Sequence, residues 1–167
     1  MGYSQPEPLD TRHVIEAFDC GVPSLNDWLQ RRARSNHTRG FTVVMVIHDA
    51  GHLVGFYGLA PTAIEARLLP RRIRTGQPPN PIPRLLIGQL AVDRRHQGRG
   101  ISDQLVLHAL ERVVHSSEIS GGRALLVNAV NTRAADFWRA WDFEPLSSDP
   151  LILCRSLSDI RTTLAAQ

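Results

Sequence analysis

Residues 85–102 read LLIGQLAVDRRHQGRGIS. An apolar run, Leu85–Val92, gives way to a loop, Arg94–Gly100, and then to an amphipathic segment, Ile101–His115. A buried strand, a glycine-bearing turn and a helix in that order make the first half of a βαβ unit. Gly98 and Gly100 let the backbone turn tightly, so that consecutive N–H groups can face one concavity. The helix start adds unbonded N–H groups and the positive end of its dipole. Such a site suits a diphosphate without requiring any particular side chain. Two glycines among arginines also fit a plain βα turn, and the loop by itself leaves both readings open.

On the C-terminal side, Gly121-Gly122 ends the helix and Ala124–Val130 reads as the second, parallel strand. Asn131 or Thr132 then caps a helix running to about Trp141. Leu151–Arg155 is a last strand, and Ser158 is expected to cap a short terminal helix. On the N-terminal side, residues 63–84 carry Arg67, Arg71, Arg72 and Arg74, followed by prolines at 78, 79, 81 and 83 that exclude a helix there. Phe41–Ile47 and Leu53–Leu59 flank Asp49-Ala50-Gly51 as an antiparallel hairpin. Ser24 is expected to cap a helix over Leu25–Arg34, with Leu25, Trp28, Leu29 and Ala33 on its apolar face and Arg31, Arg32 and Arg34 on the other. Thr11–Phe18 is a short strand or turn after a loose start. The fold class is therefore α/β (α+β), a mixed sheet flanked by helices.

At 167 residues the chain suits a single domain, 1–167. Cys20 and Cys154 match no metal spacing and read as small buried residues of a reduced, cytoplasmic protein. No run approaches the ~18 apolar residues of a membrane span, so neither insertion nor secretion is expected. His37, His48, His52, His96, His108 and His115 show no ligand spacing, and no metal is expected. All 19 basic residues are arginine. Twelve of them, against only Asp49, Glu65 and Asp93, fall between Arg31 and Arg99. Such clustering fits a polyanion, or an acidic protein partner.

The run Arg95-His96-Gln97-Gly98-Arg99-Gly100 resembles the Arg/Gln-x-x-Gly-x-Gly/Ala motif of GNAT N-acetyltransferases. Asn131-Thr132-Arg133-Ala134-Ala135-Asp136-Phe137 resembles the Asn-x-x-Ala-x-x-Phe-Tyr helix of the same family. The segments FDCGVPSLNDWLQ, GFYGLAP, IGQLAVDRRHQGRGI and DFEPLSSDPLILCRSL look like the GNAT toxins of type II toxin–antitoxin modules, over roughly residues 18–157.

The resemblance implies a GNAT fold in which two parallel strands splay around acetyl-CoA. Backbone groups of Leu90, Ala91 and Val92 would bind the pantetheine arm, and the Leu90 N–H would polarise the thioester carbonyl. Amides of Gln97, Gly98, Arg99, Gly100, Ile101 and Ser102 would hold the pyrophosphate. Asn131, Ala134 and Phe137 would line the arm. The family's proton-donating Tyr is Trp138 here, and its following Gly is Asp142. An indole N–H is far too weak an acid to replace a phenol. Water, a surrogate such as Tyr57 or Ser102, or a slow or inactive enzyme are the readings left.

For the acceptor, the resemblance implies the α-amine of an aminoacyl-tRNA, whose acetylation blocks translation. That amine has a pKa near ~8, lower than lysine's ~10.4, so it needs no strong base. Arg31, Arg32, Arg34, Arg39, Arg67, Arg71, Arg72 and Arg74 would meet RNA phosphates. The module's antitoxin, commonly a ribbon-helix-helix protein, would be a second partner and would supply any contact with operator DNA; a homodimer is plausible. The alternatives are acetylation of a small-molecule or protein amine, or a catalytically weak acetyl-CoA-binding regulator.

Overall fold

The computed structural model describes residues 2–74 and 82–167, and side chains within these except at positions 82 and 83. The chain divides into two compact units, Met1–Ala60 with Gln89–Ala109, and Pro61–Gly88 with Leu110–Gln167. The strands are β1 (Glu7–Pro8), β2 (Val43–Asp49), β3 (His52–Ile64), β4 (Ile82–Val92), β5 (Ala124–Asn128), β6 (Glu144–Pro145) and β7 (Ile152–Ser156). Their order across the sheet is β1-β2-β3-β4-β5-β7-β6. The mixed sheet expected from the sequence is present.

In the first unit, β2 and β3 form the expected hairpin, with Val44 opposite Gly58 and Asp49 opposite His52. Its two-residue turn places Ala50 at φ 50° and Gly51 at φ 90°, the left-handed pair that a hairpin's twist favours. β1, invisible to periodicity at two residues, pairs Glu7 with Val46. The helix expected at Leu25–Arg34 starts earlier and runs further: α1 (Pro23–Trp28), a π-helical turn Leu29–Ala33, then α2 (Arg34–Thr38). Ser24 is not its cap. Val22 holds that place and Pro23 is the first helical residue, because proline's fixed φ suits the first turn, where its missing N–H is no loss. Leu29, Ala33, Phe18, Val44, Val46 and Phe56 form the core beneath. Thr11–Phe18 is a turn, joined to the hairpin by a bridge from Val14 to His52.

In the second unit, β4 and β5 are parallel, pairing Leu85–Ile87 with Leu125–Val127; β4 then continues to Val92. The βαβ reading therefore holds, with α4 (Ile101–Ser120) longer than expected. Residues 63–84 are more regular than expected where described: β3 reaches Ile64, a 3-10 turn spans Ala66–Leu68, and α3 covers Arg71–Arg74. Leu69 and Ile73 anchor this segment to Leu126, Leu146 and Cys154. Prolines 78, 79 and 81 lie outside the described residues, and Pro83 falls within β4. α5 (Thr132–Ala140) is capped by Asn131. α6 (Leu157–Ala165) is capped by Ser156 rather than Ser158, its hydroxyl accepting the Asp159 N–H at 3.1 Å. The Ser-x-x-Asp spacing was the available signal. Burial raises both thiols, Cys154 to about 11. No helix among the described residues is long and apolar enough to cross a membrane.

Candidate active site

The glycine loop hangs from Asp93, whose role the sequence did not announce. Asp93 is fully buried at the end of β4. Its carboxylate accepts the Asp19 N–H at 3.0 Å and the Arg95 N–H at 2.9 Å. Arg95 also donates from Nε at 3.0 Å and from its terminal nitrogen at 3.2 Å. Burial pushes the Asp93 carboxyl up, but Arg95 and the two amides outweigh it and hold it below its ordinary value. Arg95, the leading residue of the family-like motif, is thus held by the chain itself. Arg94 donates its N–H to the Asp19 carbonyl at 2.8 Å and pairs with the Asp19 carboxylate at 3.0 Å.

Arg94 and Arg95 stay largely exposed while tied to Asp19 and Asp93. Gln97 donates its side-chain amide to the Val92 carbonyl at 2.9 Å. Gly98 and Gly100 stand at φ 78° and φ 80°, and a Cβ at either would meet nothing within 4 Å. The glycines are there for conformation, because L side chains resist this region, and the space outside them is open. The loop from Gln97 to Gly100 is solvent-exposed, and α4 begins at Ile101 with its first N–H groups preceding any intrahelical acceptor. Leu90, Ala91, Val92 and Gln97–Ser102 are brought together at one strand-to-helix passage.

In the second unit, Asn131 caps α5, its side-chain oxygen accepting the Ala134 N–H at 2.9 Å. Ala134 and Phe137, three residues apart, are both half-buried on one face. Trp138 turns the other way, only 3% exposed, with Phe137 and Phe143 edge-on, each ring 5.2 Å away. Asp142 stands at φ 65°, the left-handed position past a helix end that glycine usually takes. Its departure from the family pattern leaves the backbone path intact. Tyr57 is fully buried, its hydroxyl bonded to His108 Nδ1 at 2.8 Å.

Residues 40–145 match the sequence model of the acetyltransferase (GNAT) domain. The chain belongs to the GNAT acetyltransferase family. This GNAT chain is 37% identical over 163 residues to a tRNA-acetylating toxin of Mycobacterium tuberculosis, covering 98% of each. It is similar to the solved structure of AtaT complexed with acetyl-methionyl-tRNAfMet, at TM-score 0.88 and 27% identity, over 98% of this chain and 99% of that one. It is also similar to a mutant AtaT toxin bound to the C-terminus of the antitoxin AtaR and acetyl-CoA, at TM-score 0.82 and 26% identity, over 97% and 98%.

The candidate RNA-binding arginines of this GNAT chain fall into two groups, one in each unit. Arg31 pairs with Asp27 at 2.7 Å, Arg32 is exposed, and Arg39 lies over the Phe41 ring at 5.1 Å. Arg34 is occupied internally, donating to the Asp10 and His13 carbonyls at 2.8 and 2.6 Å. In the second unit Arg67 pairs with Glu65 at 2.6 Å, Arg71 is exposed and Arg74 half-buried. Arg72 is engaged by Glu144, and by Asp159 at 3.2 Å.

Glu7, His13 and His48 converge as a possible ligand set, which the sequence spacing concealed. Each imidazole accepts a backbone N–H at Nδ1, from Asp10 and Gly51 respectively, at 3.0 Å. Each must then carry its proton on Nε2, and both donate to one Glu7 oxygen at 2.8 Å. The three form a closed hydrogen-bond network, and no ring nitrogen keeps a lone pair for a metal.

Proposed function

We propose that this chain transfers an acetyl group from acetyl-CoA to the α-amine of an aminoacyl-tRNA, and so acts as a translation-blocking toxin. The observation that carries it is the exposed loop with two left-handed glycines and open space outside them, in a chain 37% identical to a tRNA-acetylating toxin. The donor set fits coenzyme A. An exposed loop with two left-handed glycines beside a helix start suits a diphosphate.

In this reading the amides of Gln97 to Ser102 hold the pyrophosphate. Leu90 and Val92 offer backbone groups to the pantetheine arm, and Asn131, Ala134 and Phe137 border it. Acetyl-CoA supplies the activated acyl group. The Leu90 N–H would donate to the thioester oxygen when acetyl-CoA is bound, a placement that contributes several kcal/mol where negative charge develops. No carboxylate base is needed, because esterification lowers the α-amine below its free pKa of about 8 and leaves a sizeable neutral fraction at cellular pH. Trp138 is packed in the core and its indole is no acid. Solvent water serves for the thiolate, whose own pKa near ~8.5 makes it a tolerable leaving group. Arg31, Arg32, Arg39, Arg67, Arg71 and Arg74 contact phosphates, while Arg34 and Arg72 brace the arginine-bearing segments.

An antitoxin is the second partner, engaging the toxin and carrying it to operator DNA; AtaT bound to the C-terminus of AtaR is the precedent for the first and the KacTA–DNA complex for the second. We place the activity in the cytoplasm, where charged tRNA is found. Incubation with labelled acetyl-CoA and charged tRNA tests the function. Label recovered as N-acetyl-aminoacyl-tRNA supports it. Label only on other amines, or tight acetyl-CoA binding without turnover, removes it.

A further inference from the structure

Gln89 immediately precedes Leu90 on β4, and its side chain lies over Gly58 of β3. A Cβ built on Gly58 would sit 2.6 Å from Gln89 Oε1, 3.0 Å from Thr42 Cγ2 and 3.4 Å from Trp28 Cη2. The bare backbone at Gly58 is therefore what lets the amide lie flat against the strand, in a niche bordered by a methyl group and an indole edge. Trp28 is itself stacked on Phe56, with ring centroids 5.9 Å apart, which makes the wall of this niche rigid. Gln89 and Trp28 are both half-buried, so the niche reaches the surface. Among the described residues, no hydrogen bond reaches the Gln89 side-chain amide. A partly desolvated primary amide set among apolar neighbours is costly to leave unmade, and its two donors and one acceptor require a complement.

The complement is defined by geometry and charge. A primary amide can accept an N–H at its oxygen while donating from its nitrogen to a carbonyl, one bond at each end. An α-amino ester presents these two groups, amine and carbonyl, on adjacent carbons. We infer that Gln89 positions the aminoacyl end of the acceptor: Oε1 accepts an N–H of the α-amine and Nε2 donates to the ester carbonyl. Gln89 takes no proton. It orients the amine so that the nitrogen lone pair points toward the thioester beside Leu90, and being neutral it does not favour the ammonium form. A carboxylate in its place would. This rests on the acceptor proposed above.

Wild type, Gln89→Ala, Gln89→Glu and Gly58→Ala are compared in three measurements: acetylation of charged tRNA from pH 6 to 9, calorimetric binding of acetyl-CoA, and equilibrium binding of charged against uncharged tRNA. Gln89→Ala should lower kcat/KM for charged tRNA about 30-fold or more, the scale of a lost pair of hydrogen bonds. It should narrow the preference for charged over uncharged tRNA and leave acetyl-CoA affinity within about twofold. Gln89→Glu should move the rising limb of the pH profile to higher pH, because the carboxylate stabilises the protonated amine. Gly58→Ala, which displaces the amide without deleting it, should reproduce Gln89→Ala. Three results overturn the inference: Gln89→Ala matching wild type, Gln89→Ala losing acetyl-CoA binding, or an unmoved pH profile in Gln89→Glu. Wild-type protein that binds acetyl-CoA yet leaves charged tRNA unmodified overturns the acceptor itself, and this role with it.

Discussion

Three residues show how backbone conformation constrains identity. Gly98 at φ 78° has open space where a Cβ would go, so Gly98→Ala should cost about 1–2 kcal/mol by strain alone. Gly98→Asp adds a carboxylate where the pyrophosphate is placed, and should abolish acetyl-CoA binding in a folded protein; calorimetry checks both. Ala50 at φ 50° and Asp142 at φ 65° carry Cβ atoms into the same region. Ala50→Asn gives the hairpin an Asn-Gly turn and should raise stability by about 1 kcal/mol in denaturant unfolding. At Asp142, substitution by Ala should destabilise and by Gly should not, since only the first keeps a Cβ while losing the short polar side chain that tolerates the left-handed region. Trp138, edge-on to Phe137 and Phe143, should respond to Trp138→Tyr with a lower melting temperature and unchanged turnover. Raised turnover would instead place it beside the reacting sulfur.

Among the elements, the passage from β4 to α4 depends on Asp93 more than on its arginines. Its carboxylate joins Asp19, Arg95 and the loop backbone, and Asp93→Ala strands these donors. The variant should lose about 2–3 kcal/mol and weaken acetyl-CoA binding by at least about tenfold, the counterpart of 1.4 kcal/mol. The pH dependence follows from the lowered carboxyl. A group whose folded pKa is depressed contributes stability above its unfolded value, near ~3.9, and loses it as pH falls through the folded value. Acid unfolding monitored below about pH 4 should therefore show a Asp93-dependent loss that Asp93→Asn lacks. The loop's glycines and following helix were legible in the sequence because turn chemistry and apolar periodicity are local signals. Asp93 was not, because its partner Asp19 is 74 residues away. Ser24 differs: the competing signal was local, since the adjacent Pro23 takes the first helical position and moves the cap to Val22.

At the scale of the whole molecule, charge is the testable property. If the exposed arginines contact phosphates, log affinity for tRNA should fall linearly with log salt. Each of Arg32→Ala and Arg71→Ala should lower that slope by about one, and Arg34→Ala should act through stability instead, since its guanidinium holds the Asp10 and His13 carbonyls. The β2–β3 hairpin, the βαβ unit with its parallel β4–β5 pair and the glycine loop were determined by the sequence alone, because each is written in contiguous residues as periodicity or turn chemistry. The two-residue strands β1 and β6, the choice of which arginines face solvent and which are consumed internally, the closed Glu7–His13–His48 network and the niche holding Gln89 over Gly58 were decided only by tertiary structure. Most join residues well separated along the chain, and a hydrogen bond or a close backbone approach between them leaves no local pattern to read.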